Sequence, residues 1–337
     1  MSSRYSRQER FPPIGIAGQE KLRDAHVLII GAGALGSSSA EMLARAGVGK
    51  ITIVDRDYVE MSNLQRQQLY SEIDVIKKNP KAVAAQKRLE AINSDIRVQG
   101  IVADVNGMNV EDLVTGKTLI VDAGDNFETR LIINDAAVKH NVPFLFGACV
   151  GSYGITFPMI PGETPCLHCL MDHLPAQNLT CDTAGVISPI VQLVASYQVT
   201  TALKFLTGAK LSPLLQSVDI WNNESAKIRV DRLKKENCKT CGNNPSFPYL
   251  SFEGQTKTEI LCGRDTVQIR PGAARALSFE ELGRRLESLG SEMTVNSYLL
   301  SCSFEGRRVV LFRDGRALIH GTSDITEAKG IYNRLIG

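Results

Sequence analysis

Residues 26–36 read HVLIIGAGALG, an apolar segment that runs directly into a Gly-x-Gly-x-x-Gly turn at Gly31, Gly33 and Gly36. The apolar run predicts a buried strand, and the glycines let the backbone come close to a phosphate group. A helix is predicted after the turn, and its unpaired N-terminal N–H groups attract negative charge. The stretch therefore predicts the first strand–turn–helix unit of a nucleotide-binding fold.

A second apolar strand, residues 51–54, ends at Asp55. A carboxylate at this position accepts hydrogen bonds from ribose hydroxyl groups. NAD(P)-dependent oxidoreductases share the glycine turn and this carboxylate, so the two features leave that class open. They predict a nucleotide site in which the glycines surround phosphates and Asp55 holds the ribose.

The segment SNLQRQ, residues 62–67, favours ATP over a dinucleotide. It places Asn63 and Arg66 soon after the ribose carboxylate, and a planar guanidinium pairs with two phosphate oxygens at once. A dehydrogenase has no use for such a pair there, whereas an enzyme that works on the phosphates of ATP does. We therefore predict an ATP site.

Lys81 and Asp125 complete the predicted phosphate site. Cleavage of a triphosphate between its α and β phosphates requires cations on the leaving pyrophosphate and a carboxylate that holds Mg²⁺. Arg66 and Lys81 supply the cations, and Asp125 supplies the carboxylate. Lys81 belongs to a lysine-rich run, residues 77–81, where a solvated surface lysine explains the spacing equally well.

Apolar strands and helical segments alternate from residue 26 to residue 150. The predicted strands are 26–30, 51–54, 96–102, 118–122 and 143–147, and the predicted helices are 34–46, 80–92 and 128–140. This alternation predicts an α/β, Rossmann-like fold with a mostly parallel sheet and helices on both faces. A further helix is expected from Ser188, as N-cap, with Pro189 at its first position, to Gly208.

The chain is 337 residues long, which exceeds one typical compact domain. The turn-rich segment 242–248 predicts a boundary between a nucleotide-binding domain, residues 1–245, and a small C-terminal α+β domain, residues 250–337. The second domain is predicted to contain a strand at 259–269, a helix opened by a capping box at 278–281 and ending at Gly290, turns at 305–306 and 314–315, and a last helix from about 324.

Charge and hydropathy exclude several function classes. Lys and Arg number 38 against 36 Asp and Glu, so no charge surplus indicates a nucleic-acid partner. The N-terminal segment is polar, and polar residues interrupt the longest apolar run, residues 186–206. We therefore expect a soluble, cytoplasmic protein that binds neither nucleic acid nor membrane. In that reducing compartment the 8 cysteines are expected to bind metal, react or pack rather than form disulfides.

Four of the cysteines form two C-x-x-C pairs, Cys166 with Cys169 and Cys238 with Cys241. Each pair presents two thiolates from one turn, and two such turns complete a tetrahedral site for structural Zn²⁺. The gap between the pairs exceeds the usual zinc-ribbon spacing, so the sequence alone does not prove that they meet. His168 lies between two of these ligands and is predicted to be a bystander.

Cys181 lies in a polar segment before the helix that starts near Ser188. An exposed thiol near a helix start acts as a nucleophile when its pKa is lowered, but a structural thiol explains the position equally well. Cys262, within the polar sequence CGRDT, is a second cysteine for which a functional role stays open.

Together these residues resemble the MoeB/ThiF family, bacterial relatives of the ubiquitin-activating enzymes, over residues 4–242. The matching segments are RYSRQ at 4–8, GAGALG at 31–36, Asp55, SNLQRQ at 62–67, Lys81, DAGDN at 122–126, LTC at 179–181, Ala184-Gly185 and both C-x-x-C pairs. The segment from residue 250 falls outside the resemblance.

The resemblance implies adenylation of the C-terminal glycine of a ubiquitin-like sulfur-carrier protein, MoaD-like or ThiS-like, for molybdopterin or thiamine biosynthesis. It implies that Asn126 joins the nucleotide-binding residues and that Arg7 reaches the phosphates from the partner subunit of a homodimer. Cys181 matches a loop cysteine linked with thioester or persulfide chemistry. A cysteine desulfurase or other sulfur donor is then a further partner.

Two other function classes remain for comparison. An NAD(P)-dependent oxidoreductase leaves Arg66, Lys81, Asp125 and the paired cysteines unexplained. A non-catalytic scaffold that retains the fold predicts the loss of a phosphate-site residue, and all of them are present.

Overall fold

The computed structural model describes residues 4–171, 184–251, 258–261, 265–271, 277–288 and 291–336. The chain divides into two compact units, Met1–Gln255 and Thr256–Gly337. The helices of the first unit are α1 (Ser6–Glu9), α2 (Gly15–Asp24), α3 (Ala34–Ala46), α4 (Glu72–Ile76), α5 (Lys81–Ile92), α6 (Val110–Val114), α7 (Phe127–Lys139), α8 (Leu167–Leu170) and α9 (Ser188–Thr207). Its strands are β1 (His26–Ile30), β2 (Lys50–Asp55), β3 (Arg97–Val102), β4 (Leu119–Asp122), β5 (Phe144–Val150), β6 (Tyr153–Met159), β7 (Leu214–Asp219) and β8 (Glu224–Arg229).

The eight strands form one sheet in the order β3-β2-β1-β4-β5-β6-β7-β8. The pairs from β3 to β5 are parallel, and the pairs from β5 to β8 are antiparallel. The chain moves outward from β1 to β3 and then returns to place β4 on the other side of β1. This reversal opens a crevice at the carboxyl end of β1, where open α/β sheets bind ligands. The predicted Rossmann-like, mostly parallel α/β fold is confirmed.

Alternate residues of β1 enter two separate cores, which explains why the strand is apolar throughout. Val27 and Ile29 pack in the cluster that contains Leu43 of α3 and Val199 of α9. Leu28 and Ile30 belong to the opposite cluster, with residues of α6 and α7. The glycine turn and Asp55 therefore stand at the edge of a sheet that is covered on both faces.

One predicted helix boundary is corrected by a residue. Ser188 is the first residue of α9 rather than its N-cap, and the extended residue before it is Ile187. Pro189 is thus the second helical residue, where its missing N–H still costs no intrahelical hydrogen bond. Gly208 ends the helix in the left-handed conformation, as predicted.

The second unit contains a six-stranded antiparallel sheet in the order β11-β12-β13-β14-β10-β9. Its elements are β9 (Thr258–Leu261), β10 (Thr266–Ile269), α10 (Phe279–Ser288), β11 (Met293–Val295), β12 (Leu299–Phe304), β13 (Arg307–Phe312), β14 (Ala317–His320) and α11 (Ile325–Ile336). Leu286 of α10 and Ile331 of α11 pack in one apolar cluster with Val309.

The single strand predicted at 259–269 is wrong, because the chain folds back on itself within that range. β9 and β10 pair antiparallel, and Asp265, just before β10, has a positive φ of 40°. The predicted strand turns at 305–306 and 314–315 and the last helix are confirmed. Across the described residues, every helix is too short or too polar to span a bilayer.

Candidate functional site

The three glycines of the turn after β1 have different structural roles. Gly31 has a φ of +95°, and a Cβ there would collide with the carbonyl of Ala123. A Cβ on Gly36 would collide with the carbonyl of Gly31, so both positions require glycine for packing. A Cβ on Gly33 would meet no atom closer than Gln67 Nε2 at 3.9 Å. The space in front of Gly33, at the N-terminus of α3, is therefore open to a ligand.

Asp55 fixes the backbone of this turn. Its Oδ2 accepts a hydrogen bond from the N–H of Ala32 at 2.6 Å, and its Oδ1 accepts one from the N–H of Asp57 at 2.7 Å. The hydroxyl of Tyr70 donates to the carbonyl of Ala32 at 2.6 Å from the other direction. Burial raises the pKa of Asp55, and the nearby Lys81 opposes that shift. Tyr70 was not predicted from the sequence, because its role depends on a contact with a residue 38 positions away.

The segment after β2 carries polar groups that are buried without a partner among the described residues. Asn63 Oδ1 accepts from the N–H of Glu60 at 3.0 Å, whereas Asn63 Nδ2 and Gln67 Oε1 have no hydrogen-bond partner. Such groups cost free energy in an empty site, which makes them candidate ligand contacts. Arg66 is half-buried and donates to the carbonyl of Ser62 at 3.0 Å. Gln67 was not predicted as a site residue, although it lies within the quoted segment.

Lys81 is not a solvated surface lysine. Only 3% of it is exposed, and its Nζ lies 3.3 Å from Asp57 Oδ2. Its backbone N–H also donates to the carbonyl of Asp57 at 2.9 Å, which anchors the first residue of α5 to the end of β2. A buried ammonium group is costly unless a ligand or carboxylate compensates it. This position therefore holds a positive charge at the nucleotide edge of the sheet.

Asp125 lies in the turn between β4 and α7. Its side chain is 72% exposed, and Oδ1 lies 3.7 Å from Nη2 of Arg56. An exposed carboxylate at the crevice suits Mg²⁺, which prefers oxygen ligands and retains several waters. Asn126 caps α7, because its side chain accepts from the N–H of Thr129 at 3.0 Å. Asn126, which the resemblance assigns to the nucleotide-binding residues, therefore also caps a helix in this turn.

Arg130 supports the turn between β4 and α7 from the buried side. It donates to Asp122 Oδ2 at 3.0 Å and to the carbonyls of Gly124 at 2.7 Å and Gly147 at 3.0 Å. Both charged side chains are buried, and burial raises the pKa of Asp122 while Arg130 opposes the rise. The ion pair fixes the backbone that carries Asp125.

Arg7 is not brought to the glycine turn of its own chain. It is exposed on α1, and the neighbouring Gln8 donates to the carbonyl of Ala46 at 2.8 Å, at the C-terminal end of α3. The glycine turn is at the opposite end of that 13-residue helix, about 20 Å away at 1.5 Å per residue.

The two C-x-x-C pairs meet in space. The four Sγ atoms of Cys166, Cys169, Cys238 and Cys241 lie within 4.8 Å of one another. Three of the separations are 4.0, 3.6 and 3.5 Å, close to the roughly 3.8 Å expected between thiolates around a tetrahedral Zn²⁺. Hydrogen bonds among the thiols lower the pKa of Cys169 and raise the pKa of Cys166. The cluster fits zinc.

Two contacts connect this cysteine cluster to helix α7. Asn134 Oδ1 accepts from the N–H of Leu167 at 2.8 Å, and Asp135 Oδ1 accepts from Thr240 Oγ1 at 2.5 Å. Asp135 Oδ2 also accepts from the N–H of Tyr249 at 2.9 Å. His168 is not part of the cluster and lies 3.5 Å from Thr240 Oγ1. Cys181 and Cys262 lie outside the described residues.

Comparison with known proteins agrees with this geometry. The model of the ThiF family matches residues 5–240. The sulfur carrier protein ThiS adenylyltransferase of Bacillus subtilis (strain 168) is 58% identical over 337 residues, covering 100% of both chains. The protein of the same name from Escherichia coli (strain K12) is 35% identical over 247 residues, 73% of this chain and 97% of that protein.

Among solved structures, the crystal structure of E. coli MccB with ATP superposes with a TM-score of 0.61. It covers 72% of this chain and 75% of that chain at 24% identity, a likeness that concerns the fold. The sequence resemblance is thereby confirmed: this chain belongs to the ThiF family.

Proposed function

We propose that this protein uses ATP to adenylate the C-terminal carboxylate of a ubiquitin-like sulfur carrier of the ThiS class. The observation that carries the proposal is the convergence of Asp55, buried Lys81 and exposed Asp125 on the open glycine turn. The relatives named ThiS adenylyltransferase favour ThiS over MoaD, and hence thiamine over molybdopterin biosynthesis. The oxidoreductase alternative has no use for this set of charges, and a scaffold has no reason to keep it.

The reaction is a displacement at the α-phosphorus. An oxygen of the carrier's terminal carboxylate forms a bond to Pα, and the bond from Pα to the bridging oxygen of the β phosphate breaks, so that pyrophosphate leaves. Asp55 holds the ribose, and the N–H groups at Gly33 and the start of α3 face the phosphates. Arg66 and Lys81 neutralise the charge that develops on pyrophosphate. Asp125 would hold Mg²⁺, which supplies charge neutralisation on the phosphate oxygens when bound.

The active form is a homodimer in this proposal. Exposed apolar side chains flank Arg7, at Phe11 and Ile16, and others flank the Arg66 segment, at Met61, Ile73 and Ile76. Exposed apolar patches mark protein interfaces, and a twofold dimer can place one patch on the other in both subunits. Arg7 would then reach the phosphates bound by the partner subunit, whereas its distance from its own glycine turn keeps it away from those bound by its own chain.

Zinc has a structural role in the proposal, because all four positions of the tetrahedral site are filled by cysteine. Cys181 is assigned to a later step, in which a sulfur donor such as a cysteine desulfurase delivers sulfur to the activated carrier. Adenylation itself needs no thiol, since the carboxylate is the nucleophile.

Pyrophosphate exchange tests the proposal. Purified protein is incubated with ATP, Mg²⁺, labelled pyrophosphate and either a ThiS-like or a MoaD-like carrier from the same source. We expect exchange with the ThiS-like carrier, little with the MoaD-like carrier, and none with a ThiS-like carrier that lacks its C-terminal glycine. Absence of carrier-dependent exchange contradicts the proposed function, and preference for the MoaD-like carrier contradicts the assigned carrier class.

A further inference from the structure

Arg56 connects two carboxylates that lie on different sides of the nucleotide crevice. Its Nη1 lies 3.4 Å from Asp104 Oδ1, and its Nη2 lies 3.7 Å from Asp125 Oδ1. The exposed fractions are 13% for the Arg56 side chain, 5% for Asp104 and 72% for Asp125. The guanidinium therefore has a buried partner on one side and an exposed partner on the other.

The sheet topology places this bridge over the glycine turn. Arg56 directly follows β2, Asp104 follows β3, and Asp125 follows β4. In the strand order β3-β2-β1-β4, a contact from the end of β2 to the end of β4 crosses the carboxyl end of β1. The positive charge of Arg56 thus lies beside the carboxylate that the proposed function assigns to Mg²⁺.

We propose that Arg56 is a positioning residue that holds Asp125 at the mouth of the site and competes with the divalent cation for its carboxylate. The inference rests on the proposed function, because it takes Asp125 as the metal ligand. When the cation arrives, Asp125 gives up the Arg56 contact, while Asp104 keeps the guanidinium nearby. Repulsion between the guanidinium and a divalent cation then weakens metal binding.

This arrangement has a consequence for the order of binding. A free divalent cation meets a site that already contains a positive charge, so it binds poorly on its own. A cation carried by a triphosphate arrives with an excess of negative charge, which Arg56, Arg66 and Lys81 attract. Arg56 therefore favours entry of the metal–nucleotide complex over entry of the bare metal.

The test is a titration with Mn²⁺ alone, with free Mn²⁺ measured by electron paramagnetic resonance. A parallel titration with the preformed Mn²⁺ complex of AMPCPP, a nucleotide that is not cleaved between its α and β phosphates, should show weaker binding of that complex without the Arg56 charge. We expect Arg56→Gln to lower the Mn²⁺ dissociation constant about three- to tenfold, as loss of one nearby positive charge implies. Arg56→Lys, which keeps the charge, should restore a value close to that of the wild type. Unchanged or weaker Mn²⁺ binding in Arg56→Gln overturns the inference.

Two further variants complete the design. Arg229→Gln removes the same charge from an exposed pair with Asp231, which has a separation of 3.3 Å, and should leave Mn²⁺ binding unchanged. If Arg56→Gln does not fold because Asp104 loses this ion pair, the double variant Arg56→Gln/Asp104→Asn should still bind Mn²⁺ more tightly than the single variant Asp104→Asn, which keeps Arg56. Tightening of equal size from Arg56→Gln in an Asp125→Asn background contradicts action through Asp125.

The binding measurement needs no carrier protein. Absence of carrier-dependent pyrophosphate exchange in the wild type therefore counts against the proposed function alone, whereas the Mn²⁺ result decides the role of Arg56.

Discussion

The guanidinium of Arg130 donates to the carboxylate of Asp122 at 3.0 Å, and the two side chains are 6% and 0% exposed. Arg130 also lies against the rings of Phe127 and Phe146, at 5.0 and 5.1 Å. A buried ion pair adds little net stability, but the loss of one partner leaves a buried charge without compensation. The pair is therefore essential for the shape of the turn that carries Asp125.

Arg130→Met should lower the free energy of unfolding by about 3–5 kcal/mol, because Asp122 is left as an unpaired buried carboxylate. The double variant Arg130→Met/Asp122→Asn should recover part of that loss. Urea denaturation with zinc present measures both values. Equal loss in the single and double variants would show that the ion pair is not the cause.

The cysteine cluster should bind one Zn²⁺ per chain. Metal analysis checks the content, and Cys238→Ala should lose zinc and thermal stability together, because a closed site contributes directly to folding. Cys302→Ala is a suitable control, since it removes a buried thiol outside the cluster. A Cys238→Ala variant that retains both full zinc content and the wild-type melting temperature would refute the zinc site.

Asp125→Ala should reduce pyrophosphate exchange by on the order of a hundredfold or more while leaving the fold intact, because it removes the proposed Mg²⁺ ligand. Arg66→Ala should have a similar effect, since it removes a positive charge that stabilises the leaving pyrophosphate. Asp112→Ala, an exposed carboxylate on α6, serves as the matched control. Near wild-type exchange in Asp125→Ala would show that the metal is held elsewhere.

Asp55 should make nucleotide binding depend on pH. Burial raises its pKa above the ordinary value of 3.8. The protonated carboxyl is favoured in the folded protein, so it stabilises the fold below pH 3.8, and this contribution is lost as the pH rises through the raised pKa. Ribose binding has the opposite sign, because it requires the ionised form.

The affinity for AMPCPP should therefore fall as the pH is lowered through the raised pKa of Asp55. Equilibrium binding between about pH 4.5 and pH 8 measures the effect. Asp55→Asn should bind weakly across the whole range and lose this part of the pH dependence. A profile of the same shape in both proteins would assign the titration to another group.

Cys181→Ser should keep pyrophosphate exchange and lose thiocarboxylate formation on the carrier. The carrier's carboxylate attacks the α-phosphate without a thiol, whereas sulfur transfer to the resulting acyl adenylate needs an accessible thiolate. Loss of exchange would place Cys181 in the nucleotide site. Retention of both activities would identify it as a structural thiol.

The sequence predicted the parts of the fold that depend on local patterns. The strand–turn–helix at Gly31, the carboxylate Asp55 at the end of β2 and the cap at Gly208 follow from residue types at fixed spacings. β8 escaped prediction because all six of its residues are exposed, so it lacks an apolar pattern. Tyr70 and Arg130 escaped because their partners are distant in sequence or belong to other elements, and periodicity carries no information on such contacts.

The placement of several predicted site residues likewise depends on contacts that the sequence does not show. The spacing of the cysteine pairs could not show that they meet, because 72 residues separate Cys166 from Cys238 and only the tertiary fold brings them together. For Lys81 the surrounding lysines suggested a solvated surface, and its burial became visible only with its contact to Asp57. For Arg7 the family resemblance predicts a role in the partner subunit, and its distance from the glycine turn of its own chain supports that prediction.

Helix α7 begins next to Asp125 and contacts the cysteine cluster through Asn134 and Asp135. It therefore connects this cluster to the proposed Mg²⁺ ligand, about 12 Å away along the helix axis. Oxidation of the cysteines, or removal of their metal by a chelator, should therefore loosen the contacts of Asn134 and Asp135 and, through helix α7, the position of Asp125. Preparations stored without a reducing agent would therefore lose zinc, melting temperature and affinity for the metal–nucleotide complex together.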